Sequence, residues 1–425
     1  MKDLKNRDRQ VVWHPFTQAK TEKDPLEIVR ANGVTLTDTN GKNYLDVNSS
    51  WWVNVHGHGN EVIGNAIAEQ FSELDHVIFA GVTHPKAVEL AEKVIDILPK
   101  GFSKVFFSDD GSTSVEVALK MAFQFWFNKN QPRMKILAME GAYHGDTFGA
   151  MSVGQRGYFF EPFEHLLFDV DYLPFPEKGT EMEFLKCAKD KLQSESYAAL
   201  IVEPLVQGSA GMKMYKASVL EELMSLAREK DVLIIFDEVM TGWGRTGKLF
   251  AMEHVSLVPD IVCLSKGLTG GVLPLGLTVA TERIFEAFLW DEKSKALLHG
   301  HSFTGNALSC SAAVASIGMM KSEHTLQNIK RIEEKFHQFG QILKSNPKVK
   351  EVRHLGAILA IEINVGSEGY FSDVRDKMYH FMISKGILMR PLGNVIFLNP
   401  PYCISDEELD YTFEAIQEML KSVID

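Results

Sequence analysis

A chain of 425 residues with a formal net charge of −12, 45% apolar and 24% charged residues has the balance of an ordinary globular protein and the length for a large core. No block of lysine and arginine offsets the acidic surplus, which argues against a nucleic-acid surface, and no apolar run approaches the roughly 20 residues that cross a bilayer. The charged start "MKDLKNRDRQ" lacks a signal core, and Cys187, Cys263, Cys310 and Cys403 lie far apart without zinc or redox spacing, so a cytoplasmic protein with no metal is expected.

Residues 1–56 carry a hairpin signal, "GVTLTDTNGKNYLDV", turning at Asn40-Gly41, and are expected to pack with a small C-terminal unit. Their end, "DVNSSWWVNVHGHGN", sets Trp51 beside Trp52. In an extended segment neighbours point to opposite faces, so one indole can line a pocket while the other packs behind it. From 57 to 318, strands are predicted at "KVFFS", "MKILAME", "AALIVEP", "DVLIIFDE", "DIVCLSKG" and "GLTVATE". Helical patterns lie between them, as in "SVEVALKMAFQFWF" and "ASVLEELMSLAREK", the latter with Leu220, Leu223 and Ala227 on one face. This alternation predicts an α/β fold, a mostly parallel central sheet covered by helices on both faces. Over 319–425 a long charged helix, "VRHLGAILAIEI", another helix and "GILMRPLGNVIFLNPPY" predict a smaller α+β domain.

Ligands of open α/β sheets gather at the carboxyl ends of the strands, which directs attention to the polar residues there. Asp237 closes "VLIIFD"; a lone aspartate in that position is commonly a helix cap, yet a buried carboxylate needs a partner, and a cationic ring nitrogen is one. Lys266 closes "DIVCLSK"; a rim lysine is usually solvated, but the small residues around it and the "LTGG" that follows allow a tight, partly desolvated pocket in which an amine forms Schiff bases. "SDDGSTS" before a helix offers a phosphate cradle, or a plain N-cap by Ser112 or Thr113. Tyr143, His144 and Asp146 share a Gly-rich loop in which an aromatic ring can stack on a cofactor or simply pack on the rim. Arg245 and Arg390 each could grip a carboxylate or form a surface ion pair, and Gly300, His301, Ser302 and Thr304 suggest a second phosphate contact. Together these are the requirements of a pyridoxal phosphate site.

"DDGSTSVEVALKMA", "YHGDTFGAMSV", "IVEPLVQG", "IIFDEVMTGWGRTGKLFAMEH" and "PDIVCLSKGLTGG", in this order, resemble the class III pyridoxal phosphate aminotransferases of fold type I over nearly the whole chain. "WHPFTQ", "SSWWVNVHGHGN", "THPKAVELAEK" and the arginine-bearing "GILMRPLGNVIFLNPPY" narrow the resemblance to one branch. The resemblance implies that Lys266 holds the cofactor as a Schiff base, that Asp237 pairs with its pyridine nitrogen, and that Val239 and Tyr143 pack on its two faces. Gly111 and Ser112 are implied to bind its phosphate, and Ser302, beside His301, to reach the phosphate of a neighbouring subunit, hence a homodimer with shared sites. Trp51, Tyr143, Gly300 and Arg390 are implied to line the substrate pocket, with Trp52 behind Trp51, Arg390 on a substrate carboxylate, and Asp146 and Arg245 supporting the amino donor. Phe16 stands where many members have tyrosine, and His301-Ser302 where Pro-Thr is frequent; serine keeps the hydroxyl. The implied reaction is ping-pong transfer of an amino group from a sulfonium amino acid, or from lysine, to a long-chain keto acid. Another ω-amino acid or diamine aminotransferase, an aminomutase, and a regulator on the same scaffold are the alternatives.

Overall fold

A computed structural model describes residues 3–157, 160–365 and 373–424. Near the N-terminus, β1 (Ile28–Asn32), β2 (Thr35–Asp38) and β3 (Asn43–Asp46) form an antiparallel meander. Its predicted turn is closed by Asp38 Oδ1, which accepts the N–H groups of Asn40 and Lys42 at 2.8 and 2.9 Å.

The central sheet comprises β4 (Phe102–Ser108), β5 (Lys135–Met139), β6 (Val170–Leu173) and β7 (Tyr197–Val202). After a small hairpin of β8 (Val206–Gln207) and β9 (Lys213–Met214), it continues with β10 (Leu233–Asp237), β11 (Ile261–Leu264) and β12 (Gly276–Thr281). The seven strands run in the order β4-β12-β11-β10-β7-β5-β6. β12 is antiparallel to β11 and β4, and the other pairs are parallel, so the sheet is mostly parallel as expected. Every residue of β7, β10 and β11 is buried, as a strand covered on both faces requires. Alternate side chains feed separate cores: Ile235 packs under the helix Gly111–Asn128, while Ile234 and Phe236 face the core that includes Leu220, Leu223 and Ala227 of the helix Ala217–Glu229.

In the C-terminal part, β13 (Val349–Leu355) and β14 (Ile358–Ile363) pair antiparallel. The two-residue β15 (Ile387–Leu388) leaves them to pair parallel with β3, and β16 (Val395–Leu398) completes the three-stranded sheet against β14. Residues 28–46 and 387–388 therefore share one sheet, which brings the "SSWW" stretch beside the chain that follows β16.

Candidate active site

A cavity of about 640 Å³ opens where β4, β5, β7, β10 and β11 end. Lys266 enters it one residue after Ser265, whose hydroxyl donates to the Leu275 carbonyl at 2.7 Å. The Lys266 backbone has φ +46°, in the left-handed region that a residue with a Cβ seldom adopts. Its Nζ sits 4.7 Å from the centre of the Trp52 ring. Burial lowers its pKa to about 8, against the pull of Asp237 and Glu203, and Arg245 lowers it further.

Asp237, the last residue of β10, faces the same cavity. No helix follows it; residues 238–250 form turns, so Asp237 is not a cap. Its Oδ2 lies 2.7 Å from His144 Nδ1, and its Oδ1 accepts the Val239 N–H at 3.1 Å. These partners fix the orientation of its carboxyl group. The neighbouring Glu238 turns away, accepting the N–H groups of Ala251 and Met252 at 2.7 Å each, and so closes the loop that follows β10.

The helix Gly111–Asn128 is capped by Asp110, which accepts the Thr113 N–H at 2.8 Å, and not by Ser112 or Thr113. The Gly111 and Ser112 N–H groups belong to the first helical turn, which has no intrahelical acceptor for them, and both residues line the cavity. Close packing keeps this floor clear: a Cβ on Gly111 would lie 2.6 Å from Val239 Cγ1, and one on Gly145 would lie 2.2 Å from Ser112 Oγ. Tyr143 forms a wall; its hydroxyl donates to Asp146 Oδ2 at 3.0 Å, and burial, then Asp146, push the phenol pKa up. Its N–H donates to Glu203 Oε1 at 3.0 Å, while Glu203 Oε2 accepts the Gly208 N–H at 2.9 Å. Glu203 is fully desolvated and its pKa is pushed up to about 7 by burial. Glu203 was absent from the expected set although it ends the apolar run "AALIV", and His144, named with its Gly-rich loop, had been given no role.

The tryptophan pair is not extended. Ser49–Trp52 is one tight turn with Ser49, Ser50 and Trp52 at positive φ. Side chains impose it: Asp46 Oδ2 accepts the Ser50 N–H and hydroxyl at 2.6 and 3.1 Å, and Ser49 Oγ donates to the Asn399 carbonyl at 2.8 Å. Trp52, expected only to pack behind Trp51, is itself at the cavity. Trp52 is buried and lines the cavity beneath Lys266, whereas Trp51 is 45% exposed. Trp51 stands with Phe16 (ring centres 5.5 Å apart) and the Arg390 guanidinium (5.5 Å), forming an outer wall one residue from Trp52.

Arg245 also departs from expectation. It is 1% exposed, and its guanidinium donates to the carbonyls of Pro400 (2.8 Å), Asn399 (3.4 Å) and Trp52 (3.4 Å), so it braces the tryptophan turn and has no face for a substrate carboxylate. Gly300, His301 and Ser302 lie outside the cavity lining of this single chain. Gly300 and Ser302 are exposed, His301 Nδ1 is 3.2 Å from Asp109 Oδ1, and the Ser302 carbonyl meets His76 Nε2 at 2.7 Å.

A sheet of this topology, with a lysine of lowered basicity and a buried carboxylate at adjacent strand ends beside an open helix start, marks an amine-handling enzyme of fold type I. The chain belongs to the class III aminotransferases, whose family profile matches residues 17–420. It is 46% identical to an adenosylmethionine-8-amino-7-oxononanoate aminotransferase of Synechococcus elongatus, over 97% of this chain and 99% of that one. The crystal structure of the enzyme of that name from Methanocaldococcus jannaschii superposes with a TM-score of 0.94 at 38% identity, covering 99% of both chains. A pyridoxal phosphate-bound amine transaminase from an uncultivated Pseudomonas species superposes with a TM-score of 0.91 at 29% identity, covering 97% of this chain and 99% of that one. Pyridoxal phosphate is the cofactor of the family, and the residues here fit it: an amine, a carboxylate for a cationic ring nitrogen, and a helix start that side chains at Gly111 or Gly145 would block.

Proposed function

We propose that this chain transfers an amino group from S-adenosyl-L-methionine to 8-amino-7-oxononanoate, giving the 7,8-diaminononanoate of biotin biosynthesis. The observation that carries it is the outer wall of Phe16, Trp51 and Arg390, contiguous through Trp52 with the cavity of Lys266. Clustered aromatic surface suits a long apolar chain and a sulfonium cation, and a guanidinium suits the carboxylate that both substrates carry. Full-length relatives bearing that enzyme's name support the assignment.

Lys266 would hold pyridoxal phosphate, with Asp237 at its ring nitrogen, Val239 and Tyr143 on its faces, and the Gly111 and Ser112 N–H groups at its phosphate. When bound, the cofactor supplies an electron sink for negative charge at the carbon beside the substrate nitrogen. Asp237, fixed by His144 and the Val239 N–H, directs its carboxyl group into the cavity. The Lys266 amine, with a pKa of about 8, is partly neutral under working conditions and acts as general base on the substrate carbon. Trp52 and Tyr143 wall the cavity against water. Asp146 orients the Tyr143 hydroxyl.

The reading includes a homodimer in which the exposed loop around Ser302 completes the partner's phosphate site. The apolar surface beside that loop, with Ile78, Leu298 and Phe303 each more than half exposed, supports it. It also includes a cytoplasmic location, supported by four free cysteines. Among the described residues no helix is long and apolar enough to cross a membrane.

The test is to offer 8-amino-7-oxononanoate with S-adenosyl-L-methionine, and separately with lysine, and to assay 7,8-diaminononanoate. Product with S-adenosyl-L-methionine is expected. Product with lysine alone reassigns the donor, and no product from either refutes the substrate assignment.

A further inference from the structure

Residues 53–56 lie directly behind the turn that carries Lys266. A Cβ on Gly267 would sit 3.0 Å from Val55 Cγ1, one on Gly270 3.2 Å from His56 Cδ2, and one on Gly271 2.8 Å from the Val53 carbonyl carbon. The "LTGG" after the lysine thus permits two backbones to touch. Gly270 and Gly271 take φ +65° and +81° without strain, but Lys266 itself is held at +46°, which disfavours a side chain.

A buried polar relay fastens this turn. His56 Nε2 is 3.0 Å from Ser316 Oγ, and Ser316 Oγ donates to the Gly267 carbonyl at 3.1 Å. A hydroxyl has one proton, and here it points to Gly267, so the hydrogen between His56 and Ser316 comes from the imidazole. Burial lowers the His56 pKa to about 4, which keeps the ring neutral and its tautomer fixed. His58, two residues on, reaches Asp46 Oδ2 at 2.8 Å, the same carboxylate oxygen that shapes the turn of Trp52. The "HGHG" stretch therefore touches both turns that meet at the Lys266 amine.

We propose that His56 and Ser316 are positioning residues for the reacting lysine: the relay from imidazole N–H to Ser316 hydroxyl to Gly267 carbonyl holds the turn in the conformation that places the Lys266 amine over the Trp52 ring. The proposal rests on Lys266 being the reacting amine. With the relay cut, the turn relaxes toward ordinary φ and the amine regains water. Asp237, Glu203 and Arg245 are the charged groups acting on it. With desolvation relieved, the amine pKa rises from about 8 toward its ordinary 10.5.

Ser316→Ala, His56→Leu and His56→Gln, each checked by thermal melting, test it. In the cofactor-free full chain, the Lys266 pKa is read from pH-dependent competitive acylation followed by peptide mass analysis; in the loaded enzyme, kcat and KM are measured. Ser316→Ala and His56→Leu are expected to raise the pKa by about one unit or more and to lower kcat on the order of tenfold with KM unchanged. His56→Gln, whose amide N–H can replace the imidazole donor, is expected to restore both. A folded Ser316→Ala protein with unmoved Lys266 pKa and kcat overturns the proposal, as does a His56→Gln protein no better than His56→Leu. The acylation readout requires no substrate, so failure of the substrate assignment leaves this test intact.

Discussion

Replacing Lys266 with methionine should make the cofactor-free protein more stable at neutral pH while abolishing amino transfer. The Lys266 side chain is half-buried at the cavity, and the drop of its pKa from 10.5 to about 8 corresponds to about 3 kcal/mol against the charged form below pH 8. The attraction of the cation for the Trp52 ring, on the order of 1 kcal/mol, offsets part of this, and methionine of similar length fills the space. A gain of about 2 kcal/mol at pH 7 is expected. The sign follows from linkage: the folded pKa lies below the unfolded one, so between about 8 and 10.5 the unfolded chain binds the extra proton and the parent gains stability as pH rises through that window. The variant lacks that rise, and its advantage should vanish above the window. Urea unfolding of both proteins at pH 7 and above pH 10, at matched concentrations, measures the gap. A gap that is the same at both pH values would show that the folded chain leaves the amine in water, and the account of its lowered basicity would fail.

Gly145→Ala places a methyl 2.2 Å from Ser112 Oγ at a φ of +125°, so the helix start must shift; affinity for pyridoxal phosphate should fall roughly tenfold or more, read by equilibrium dialysis, and unchanged affinity would remove Ser112 from the phosphate site. Arg245→Met strips the donor from the carbonyls of Trp52, Asn399 and Pro400 and should lower unfolding stability by on the order of 3 kcal/mol; intact stability with a raised donor KM would return Arg245 to the substrate. Trp52→Ala should lose about 3–5 kcal/mol of stability, whereas Trp51→Ala, half-exposed, should lose less than about 1 kcal/mol and instead raise KM for the keto acid; the opposite pattern would take Trp51 out of the substrate wall.

Local patterning accounts for six of the seven central strands. Each is an apolar run with turn residues beside it, and for the central strands β7, β10 and β11 burial on both faces writes that signal into consecutive residues. β6 escaped because, as an edge strand paired with β5 alone, it buries Leu173 fully and its other residues in part. Lys266 and Asp237 were legible for the same reason as the strands: each is the polar residue at which such a run stops, and parallel neighbours bring those stops to one edge. Side-chain partners from distant segments leave no such trace. Arg245 reads as a carboxylate binder until the Asn399 and Pro400 carbonyls arrive from 154 and 155 residues away to accept its N–H groups. The tryptophan turn reads as a strand until Asp46, Ser49 and the Asn399 carbonyl bend it. Glu203 reads as one more strand-end acid until Tyr143 and Gly208 bind it from two loops. Hydrophobic periodicity is a property of neighbours along the chain and can be read there. Which indole lies beneath the lysine depends on hydrogen bonds between residues far apart in sequence, and these exist once the chain has folded.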